Sequence, residues 1–427
     1  MENIISKLLV ADSKTIQEGT KELKEAFKKP EAIPALCDVI VTSQNPQIRQ
    51  SAAVLLRRKL GKKRQWSKIN IDIRTRIKQG MLQALVSEQE KLVKNAIAQF
   101  IGVIGKHEFP DNTWPEVLQF IHTLTVSESN FDKELGMYTL SIMTEIAQSS
   151  YIVHADSFAV LFTNILNQLT DLKSNVAYYT VTTMKNLVPV IGGHQQMVNV
   201  YHSLLPRVLE VINATAENDE KRTCDMFEII EELIEYAITA IVPHITLIVE
   251  MCLRIASNAN LPKSVQIKAV SVVGWLIRSK GKVIQKHKLV EPIIDVLILL
   301  MAQVPEDEGN EEYFLGDPDQ FTSITVATQT LDLIALHIPA EKVVPYILTK
   351  VEPAIQGGNI YAQKAAYLSL AVLAEGCSEK IRLKYLESFL KCVCQAIHNP
   401  NAVVRTLHFC VRPVCRTFAS KYLVGVV

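Results

Sequence analysis

The sequence predicts an all-α protein, an α-solenoid in which helix pairs stack into a superhelix, on three observations. Glycine is scarce, with 16 residues in 427, about half of the usual ~7%. Segments of one pattern recur along the chain, and each carries apolar residues at the spacing of a single helix face. An all-β fold would instead need glycine-rich turns at short intervals.

The repeating unit is clearest in its second helix, where an aliphatic residue and a charged or amide residue precede a small and apolar run. The charged or amide residue marks clear copies at Arg49, Lys94, Glu134, Gln266, Gln363 and Arg405. Weaker copies begin near Asn175, Lys221 and Thr322. The first two intervals are 45 and 40 residues and the last is 42. Helical pairs of about 40–47 residues are typical of HEAT repeats, so we expect about nine, the first atypical.

A proline precedes many of these copies and marks the first helix of the pair. These prolines are Pro34, Pro115, Pro206, Pro243, Pro292 and Pro345. Because a proline is tolerated in the first helical turn, we expect each to lie near a helix start. Asn45 before Pro46 predicts an N-cap, and Ser87 with Glu90 predicts a capping box. One pair cannot bury its apolar face alone, so the pairs are expected to stack, with a generic helical bundle as the alternative.

Charge is strongly segregated although the formal net charge is only +1. Arg57–Lys78 holds ten basic residues and one acid, whereas Leu289–Glu341 holds eleven acids and no Lys or Arg. Glu217–Glu235 holds eight acids and two basic residues. Each run alone is compatible with a solvated face. Together they favour a surface that meets charged macromolecules.

An acidic insertion at residues 304–320 interrupts the repeat. The interval from Gln266 to Gln363 is 97 residues, where two periods need only about 84. The acids of the insertion are Glu306, Asp307, Glu308, Glu311, Glu312, Asp317 and Asp319. Insertions in solenoids are often on the binding face, so these acids are candidates for contacting a basic partner. A solubilising linker is the alternative.

Targeting and membrane signals are absent from the pattern. The N-terminus has no basic region followed by a long apolar run, so no secretory signal is expected. Two apolar uncharged runs, Tyr236–Val249 and Ser157–Thr170, fall short of the ~20 residues of a membrane span and predict buried helices. The eight cysteines do not form a disulfide framework, which favours a cytosolic or nuclear protein with reduced thiols.

The usual catalytic and metal-binding motifs are also missing. The sequence has no phosphate-binding loop, no His-Glu-x-x-His motif and no Gly-x-Ser-x-Gly motif. Cys392 and Cys394, with Cys410 and Cys415, invite a zinc interpretation. Residues two apart on a helix point about 200° apart, so structural cysteines are the preferred interpretation. We therefore expect no enzyme activity, no cofactor and no bound metal.

The N-terminal residues resemble the N-terminal domain of importin-β transport receptors. Within Thr15–Trp66, the shared features are Pro34, Ile48-Arg49-Gln50, Ala52-Ala53, the basic run Arg57-Arg58-Lys59, and Trp66. The resemblance extends over about residues 5–405. It implies a nuclear import receptor that shuttles between cytoplasm and nucleus. Its implied Ran-GTP contacts are Arg49, Gln50, Arg57, Arg58, Lys59, Trp66, Lys94 and Asn95.

The resemblance also implies the other partners. They are basic cargo such as histones or ribosomal proteins, and Phe-Gly nucleoporins; the seven insertion acids are candidate contacts for cargo or Ran. No membrane insertion and no direct nucleic-acid binding are expected, and the receptor is expected to be a monomer. Two other functions stay open: a HEAT scaffold for a multisubunit assembly, and a nucleic-acid-binding solenoid that uses the basic run.

The expected domain layout follows from the repeats and the resemblance. Ran-binding-type repeats occupy 1–108 and central repeats 109–303; the insertion at 304–320, further repeats at 321–405 and a divergent tail at 406–427 follow. Receptors of this family have roughly twenty repeats, and Pro413 falls where a second helix should continue. We therefore expect a truncated receptor that retains the Ran and nucleoporin surfaces but lacks the C-terminal cargo-binding half.

Overall fold

The computed structural model describes residues 1–146, 155–304 and 322–397, with side-chain burial described as far as residue 392. All regular structure in these ranges is helical. The prediction of an all-α solenoid fold is confirmed. The chain divides into two compact units, Met1–Val200 and Tyr201–Val427.

Helix pairs build the first unit. Its helices are α1 Glu2–Leu9, α2 Ser13–Ala26, α3 Ala32–Thr42, α4 Pro46–Lys59, α5 Lys63–Ser67, α6 Ile71–Ser87, α7 Lys91–Glu108, α8 Pro115–Thr125, α9 Asn130–Ile146, α10 Ala155–Gln168 and α11 Asn175–Ile191. Helix α3 packs on α4, α6 on α7, α8 on α9 and α10 on α11. The second helices α4, α7, α9 and α11 pack side by side in a row. This row positions the residues predicted to bind a partner.

The same arrangement recurs in the rest of the chain. Its helices are α12 Gln195–Thr215, α13 Glu220–Tyr236, α14 Ile238–Ile241, α15 Ile245–Ser257, α16 Lys263–Lys286, α17 Val290–Met301, α18 Ser323–His337, α19 Ala340–Gln356, α20 Ile360–Gly376, α21 Ser378–Lys380 and α22 Leu386–Ile397. Helices α13, α16, α18 and α20 form the row of second helices. Every repeat marker from Arg49 to Gln363 falls on, or at the N-cap of, a second helix. The copy at Arg405 and the tail 406–427 lie outside the described residues.

Helix starts show where local sequence rules hold and where they fail. The Asn45 side chain accepts a hydrogen bond from the Gln47 backbone N at 2.9 Å, which confirms the predicted N-cap. The predicted capping box is wrong, because Ser87 ends α6 and the Glu90 side chain caps nothing. The carboxylate of Glu88 instead accepts from the backbone N of Gln89 and Glu90, at 2.9 Å each.

The apolar helix face predicted for each repeat is buried in α7. On α7, Val93, Ile97, Phe100 and Ile104 are at most 1% exposed. Helices α4 and α9 of the neighbouring pairs both pack on α7, as does its own partner α6. A helix pair therefore buries its apolar side chains only when the neighbouring pairs are present.

The prolines only partly follow the prediction. Pro115 opens α8, as expected for a residue without an N–H group. Pro206 and Pro345 lie inside α12 and α19 instead. The prediction of a nearby helix start is wrong for these two, because each helix begins in the polar residues upstream. Each such proline removes one internal hydrogen bond from its helix.

The segment Ile238–Ser257 is long and apolar enough, by composition, to cross a membrane. In the structure it is interrupted by a 3₁₀ turn at Val242–His244, which separates α14 from α15. Ile248, Cys252 and Ile255 are buried, and α15 packs on α16 and α17. These contacts are those of a core helix, in line with the buried helix predicted for this region.

A close approach of α20 to α18 makes Gly376 sensitive to substitution. A Cβ at Gly376 would lie 2.6 Å from the Ala335 Cβ and 3.1 Å from the Ala335 carbonyl carbon. We expect Gly376→Ala to lower the free energy of unfolding by about 1–3 kcal/mol, because the helices must separate. Gly80→Ala on α6 is the matched control: its Cβ would meet nothing within 4 Å, and the change should stabilise by about 0.5–1 kcal/mol. Urea denaturation measures both; equal effects would contradict the close approach.

Candidate functional site

The eight residues predicted to contact Ran are distributed over α4, α5 and α7 in the first unit. Helix α7 packs on both α4 and α5, so the fold brings the three segments together. Gln50 and Asn95 are half-buried and Arg58 is exposed, so these side chains can be reached from solvent. Whether any of the eight contacts Ran stays a prediction.

Arg49 joins two consecutive repeats. Its Nε and one terminal nitrogen donate to the two carboxylate oxygens of Glu88 at 2.7 and 2.8 Å, and its other terminal nitrogen donates to the Ser43 carbonyl at 2.9 Å. The exposed fractions of the Arg49 and Glu88 side chains are 15% and 7%. Burial alone would raise the pKa of Glu88, but the Arg49 guanidinium and the neighbouring backbone N–H groups hold it below its usual value. Arg49 therefore fixes the α6–α7 turn against the start of α4.

Trp66 is built into a buried polar network around Glu108. The indole is 1% exposed, and its Nε1 donates to Glu108 Oε1 at 2.5 Å. Lys78 Nζ donates to Glu108 Oε2 at 2.9 Å, and the Thr113 hydroxyl donates to the same oxygen at 2.9 Å. Arg74 is the second cation beside this carboxylate, 3.6 Å from Oε1. Trp66 is therefore a buried residue that stabilises the packing of α5 against the end of α7.

Part of the basic run is already paired. Arg57 donates to the Gln99 side chain, and Lys59 Nζ lies 4.6 Å from the centre of the Phe27 ring. Lys63 pairs with Asp111 at 2.8 Å. Glu108 holds Lys78 and Arg74, so three of the ten cations of the run lie in ion pairs.

Lys94 and Asn95 line a small cavity in the row of second helices. The cavity measures about 140 Å³. It is lined by Gln89, Lys91, Lys94, Asn95, Phe131, Glu134, Leu135, Tyr138 and Tyr179. Lys94 is 7% exposed, and its Nζ lies 4.0 Å from the centre of the Phe131 ring. The sequence marked Lys94 as a repeat position and, by resemblance, as a Ran-GTP contact, but it could not show that an aromatic ring covers it.

The seven acids of the insertion lie outside the described residues, so their role stays a prediction. Four other acids of the Leu289–Glu341 run are described. Of these, Asp295 pairs with Lys350 at 2.8 Å and accepts the Tyr346 hydroxyl, and Glu341 pairs with Lys380. Asp332 and Glu291 form no ion pair with any cation among the described residues.

Asp332 lies in a groove between the second helices α18 and α20. The groove measures about 540 Å³. Its lining is Thr328, Gln329, Asp332, Leu333, Leu368, Ala371, Val372 and Glu375. Burial raises the pKa of Asp332, and the nearby charge of Glu375 raises it further. Glu375 likewise forms no ion pair in the described part of the chain.

Sequence reasoning missed Glu375. It follows the acidic run and is isolated among apolar residues, so composition does not mark it. Its signal is its spacing: Asp332 and Glu375 are 43 residues apart, one repeat, and so occupy matching positions on neighbouring helices. Among the described residues, no group of three or more His, Cys, Asp or Glu could hold a metal ion.

Stacked HEAT-type helix pairs with this N-terminal pattern resemble the importin-β class of transport receptors, and comparison with known families points to the same class. The importin-β N-terminal domain family matches residues 19–102, and the family described as IPO5-like, TPR repeats, matches residues 89–251. The resemblance to importin-β family receptors is confirmed.

Particular relatives are similar over nearly the whole chain. Importin-4 of Homo sapiens is 29% identical over 95% of this chain, and importin-4 of Mus musculus is 28% identical over 95%. A probable importin subunit beta-4 of Schizosaccharomyces pombe is 24% identical over 88%. The chain spans only 38% of the length of the human and mouse proteins.

Solved structures agree on the fold. The crystal structure of Kap121p matches with a TM-score of 0.84 and 19% identity, over 100% of this chain and 41% of Kap121p. Kap121p bound to RanGTP matches with a TM-score of 0.79 and 17% identity, over 99% of this chain and 41% of that one. Kap121p has also been solved bound to Pho4p and to Nup53p.

Proposed function

We propose that this chain acts in nuclear import as a receptor that binds Ran-GTP through its first unit and basic cargo through the α18–α20 groove. The single observation that carries the cargo part is the pair Asp332 and Glu375, two carboxylates without ion-pair partners on an apolar groove. The resemblance to importin-4 supports the class of function, and the RanGTP complex of Kap121p supports the kind of partner.

The groove suits a lysine or arginine side chain. Leu333, Leu368 and Val372 offer apolar surface for the methylene stem of such a side chain. The two carboxylates can then accept the charged end. A cation at this point would also relieve the repulsion between Asp332 and Glu375, so the groove favours basic over acidic or neutral segments.

The remaining parts of the proposal follow from the resemblance. Histones or ribosomal proteins are the cargo class, and the insertion at 304–320 is a second acidic surface for cargo or Ran. Passage between cytoplasm and nucleus uses Phe-Gly nucleoporins. The receptor is a monomer that catalyses no reaction and needs no cofactor. The proposed layout keeps Ran-binding-type repeats at 1–108, with the other repeats at 109–303 and 321–405.

Binding of Ran in its two nucleotide states tests the Ran part. We expect the chain to bind Ran loaded with GTP and to show at least about tenfold weaker binding to Ran loaded with GDP, a difference of ~1.4 kcal/mol. Surface plasmon resonance with immobilised Ran measures both affinities. A far-UV circular dichroism spectrum of the same sample confirms that it is helical. Equal affinities, or none for either form from a helical sample, would contradict the proposal.

The nucleic-acid alternative is less compatible with the structure. Such a surface needs a continuous basic track, whereas three of the ten basic residues of Arg57–Lys78 lie in ion pairs with Glu108 and Asp111, and a fourth donates to Gln99. We therefore expect a gel shift with duplex DNA to show no nanomolar complex at physiological salt. A nanomolar complex with a steep salt dependence would favour the alternative instead.

A further inference from the structure

We propose that the Lys94 cavity is a binding site for a carboxylate side chain, an aspartate or glutamate that a partner protein inserts between α7 and α9. The cavity lies in the first unit, apart from the α18–α20 groove. Because Lys94 and Asn95 are among the residues implied to contact Ran-GTP, the inference rests on the proposed function for the identity of the partner, whereas the chemistry of the cavity is tested separately below.

The first support is an ammonium group without an anion. Lys94 Nζ forms no hydrogen bond or ion pair with any described residue; its recorded contact is the face of the Phe131 ring at 4.0 Å. The residue is only 7% exposed. Burial lowers the pKa of Lys94, so the side chain keeps its charge at a cost that a bound anion would offset.

The second support is that the carboxylates near Lys94 accept hydrogen bonds from other residues and form no ion pair with Lys94. Glu88 and Asp132 act on Lys94 only through space. Glu88 is held by Arg49, and Asp132 accepts the Ser127 hydroxyl at 2.8 Å. Glu134, in the cavity wall, accepts the Asn175 side-chain amide at 2.8 Å. With Lys91 at the rim, the lining carries two cations against the single carboxylate of Glu134, so the cavity keeps a net positive charge and favours an anion.

The third support is the shape and lining of the cavity. About 140 Å³ accommodates one short side chain. Asn95 lines the same cavity with an amide that forms no hydrogen bond to any described group, so it can donate to the second carboxylate oxygen. Leu135, Tyr138 and Tyr179 provide apolar and aromatic walls for the methylene groups. Phe131, 57% exposed, forms the outer edge.

The stability of the free chain gives the first test. Replacement by the similarly long, neutral methionine, Lys94→Met, should raise the midpoint of thermal unfolding by about 1–2 °C, because the uncompensated charge is removed. Burial lowers the pKa of Lys94, so its charge is most costly at low pH. The gain should therefore be full near neutral pH and shrink as pH rises towards 10.5. Lys91→Met, at the exposed rim, is the control and should change little. A lower midpoint for Lys94→Met would show that Lys94 is structural and would overturn the proposal.

Direct binding gives the second test, with butyrate as the probe and butyramide as its neutral counterpart. In full-length chain labelled with ¹³C-lysine, the Lys94 signal is the one missing from Lys94→Met. We expect butyrate, at constant ionic strength, to shift this signal saturably and butyramide to leave it unchanged. No saturable shift, or the same shift with both compounds, would overturn the proposal. A larger and tighter response to inorganic phosphate would overturn the carboxylate assignment in favour of a phosphate group.

Discussion

Glu108→Ala is expected to lower the free energy of unfolding by about 3–5 kcal/mol, because removing the anion of a buried network strands its cations. Lys78 and Arg74 would lose their shared carboxylate, and their side chains are only 13% and 26% exposed. The Trp66 indole N–H, fully enclosed, would lose its acceptor.

The structural reason for so large an effect is the position of Glu108. It ends α7, and its partners come from α5, α6 and the turn before α8, so one carboxylate connects four segments. Burial alone would raise the pKa of Glu108, but Trp66, Lys78 and Thr113 hold it below its usual value. Its contribution is therefore present above the ordinary carboxyl range and is lost as pH falls through its lowered pKa.

Guanidinium denaturation of wild type and Glu108→Ala at several pH values measures this. The difference between them should be largest at neutral pH and shrink in acid. Glu25→Ala is the matched control, because Glu25 pairs with Lys28 on the surface, with side chains 69% and 70% exposed. That control should change stability by less than about 0.5 kcal/mol. If both variants lose the same stability, the network around Glu108 is not what holds these segments together.

The fold could be predicted from the sequence because a solenoid repeats one simple rule. The 3.6-residue apolar period placed α4, α7 and α20 correctly, and Asn45 marked a true helix start. The predictions of local structure failed where a side chain is held by a residue distant in the sequence. Ser87 was predicted to cap α7, but the Glu88 carboxylate accepts the backbone N–H bonds there instead. Arg49, 39 residues before Glu88 in the sequence, holds that carboxylate in place.

The candidate sites could be predicted less well, because a site is a property of neighbouring helices. The family pattern marked Trp66 and Lys94. Only the packed structure shows that the Trp66 indole donates to Glu108 and that the Phe131 ring lies over the Lys94 ammonium group. The acidic run drew attention to residues 304–320, whereas the described carboxylate pair joins Asp332 to an isolated glutamate one repeat later. A single acid in each repeat does not stand out in the composition. The two acids form a pair only because α18 and α20 lie side by side.

The double charge reversal Asp332→Lys with Glu375→Lys is expected to weaken binding of a basic peptide by about 100-fold at low salt, because two attractions become repulsions. Fluorescence anisotropy of a fluorescein-labelled lysine-rich peptide measures the affinity. The matched control is Glu352→Lys with Glu387→Lys, which makes the same change in net charge at two exposed positions outside the groove. This control should lose only the modest, salt-screened part of the affinity. Equal losses would show that overall charge, and not the groove, attracts the peptide.

The pH dependence of peptide binding then distinguishes the contribution of Asp332 from that of Glu375. Burial and Glu375 raise the pKa of Asp332, so its carboxylate takes up a proton at a higher pH than an ordinary aspartate. Because the peptide binds the charged form, affinity should fall as pH drops through that raised pKa, and a bound lysine should shift the step to lower pH. In Asp332→Asn, which keeps the shape but cannot titrate, affinity should be lower at neutral pH and this step should vanish. A wild-type step that persists unchanged in Asp332→Asn would assign the titration to another group and remove Asp332 from the cargo site.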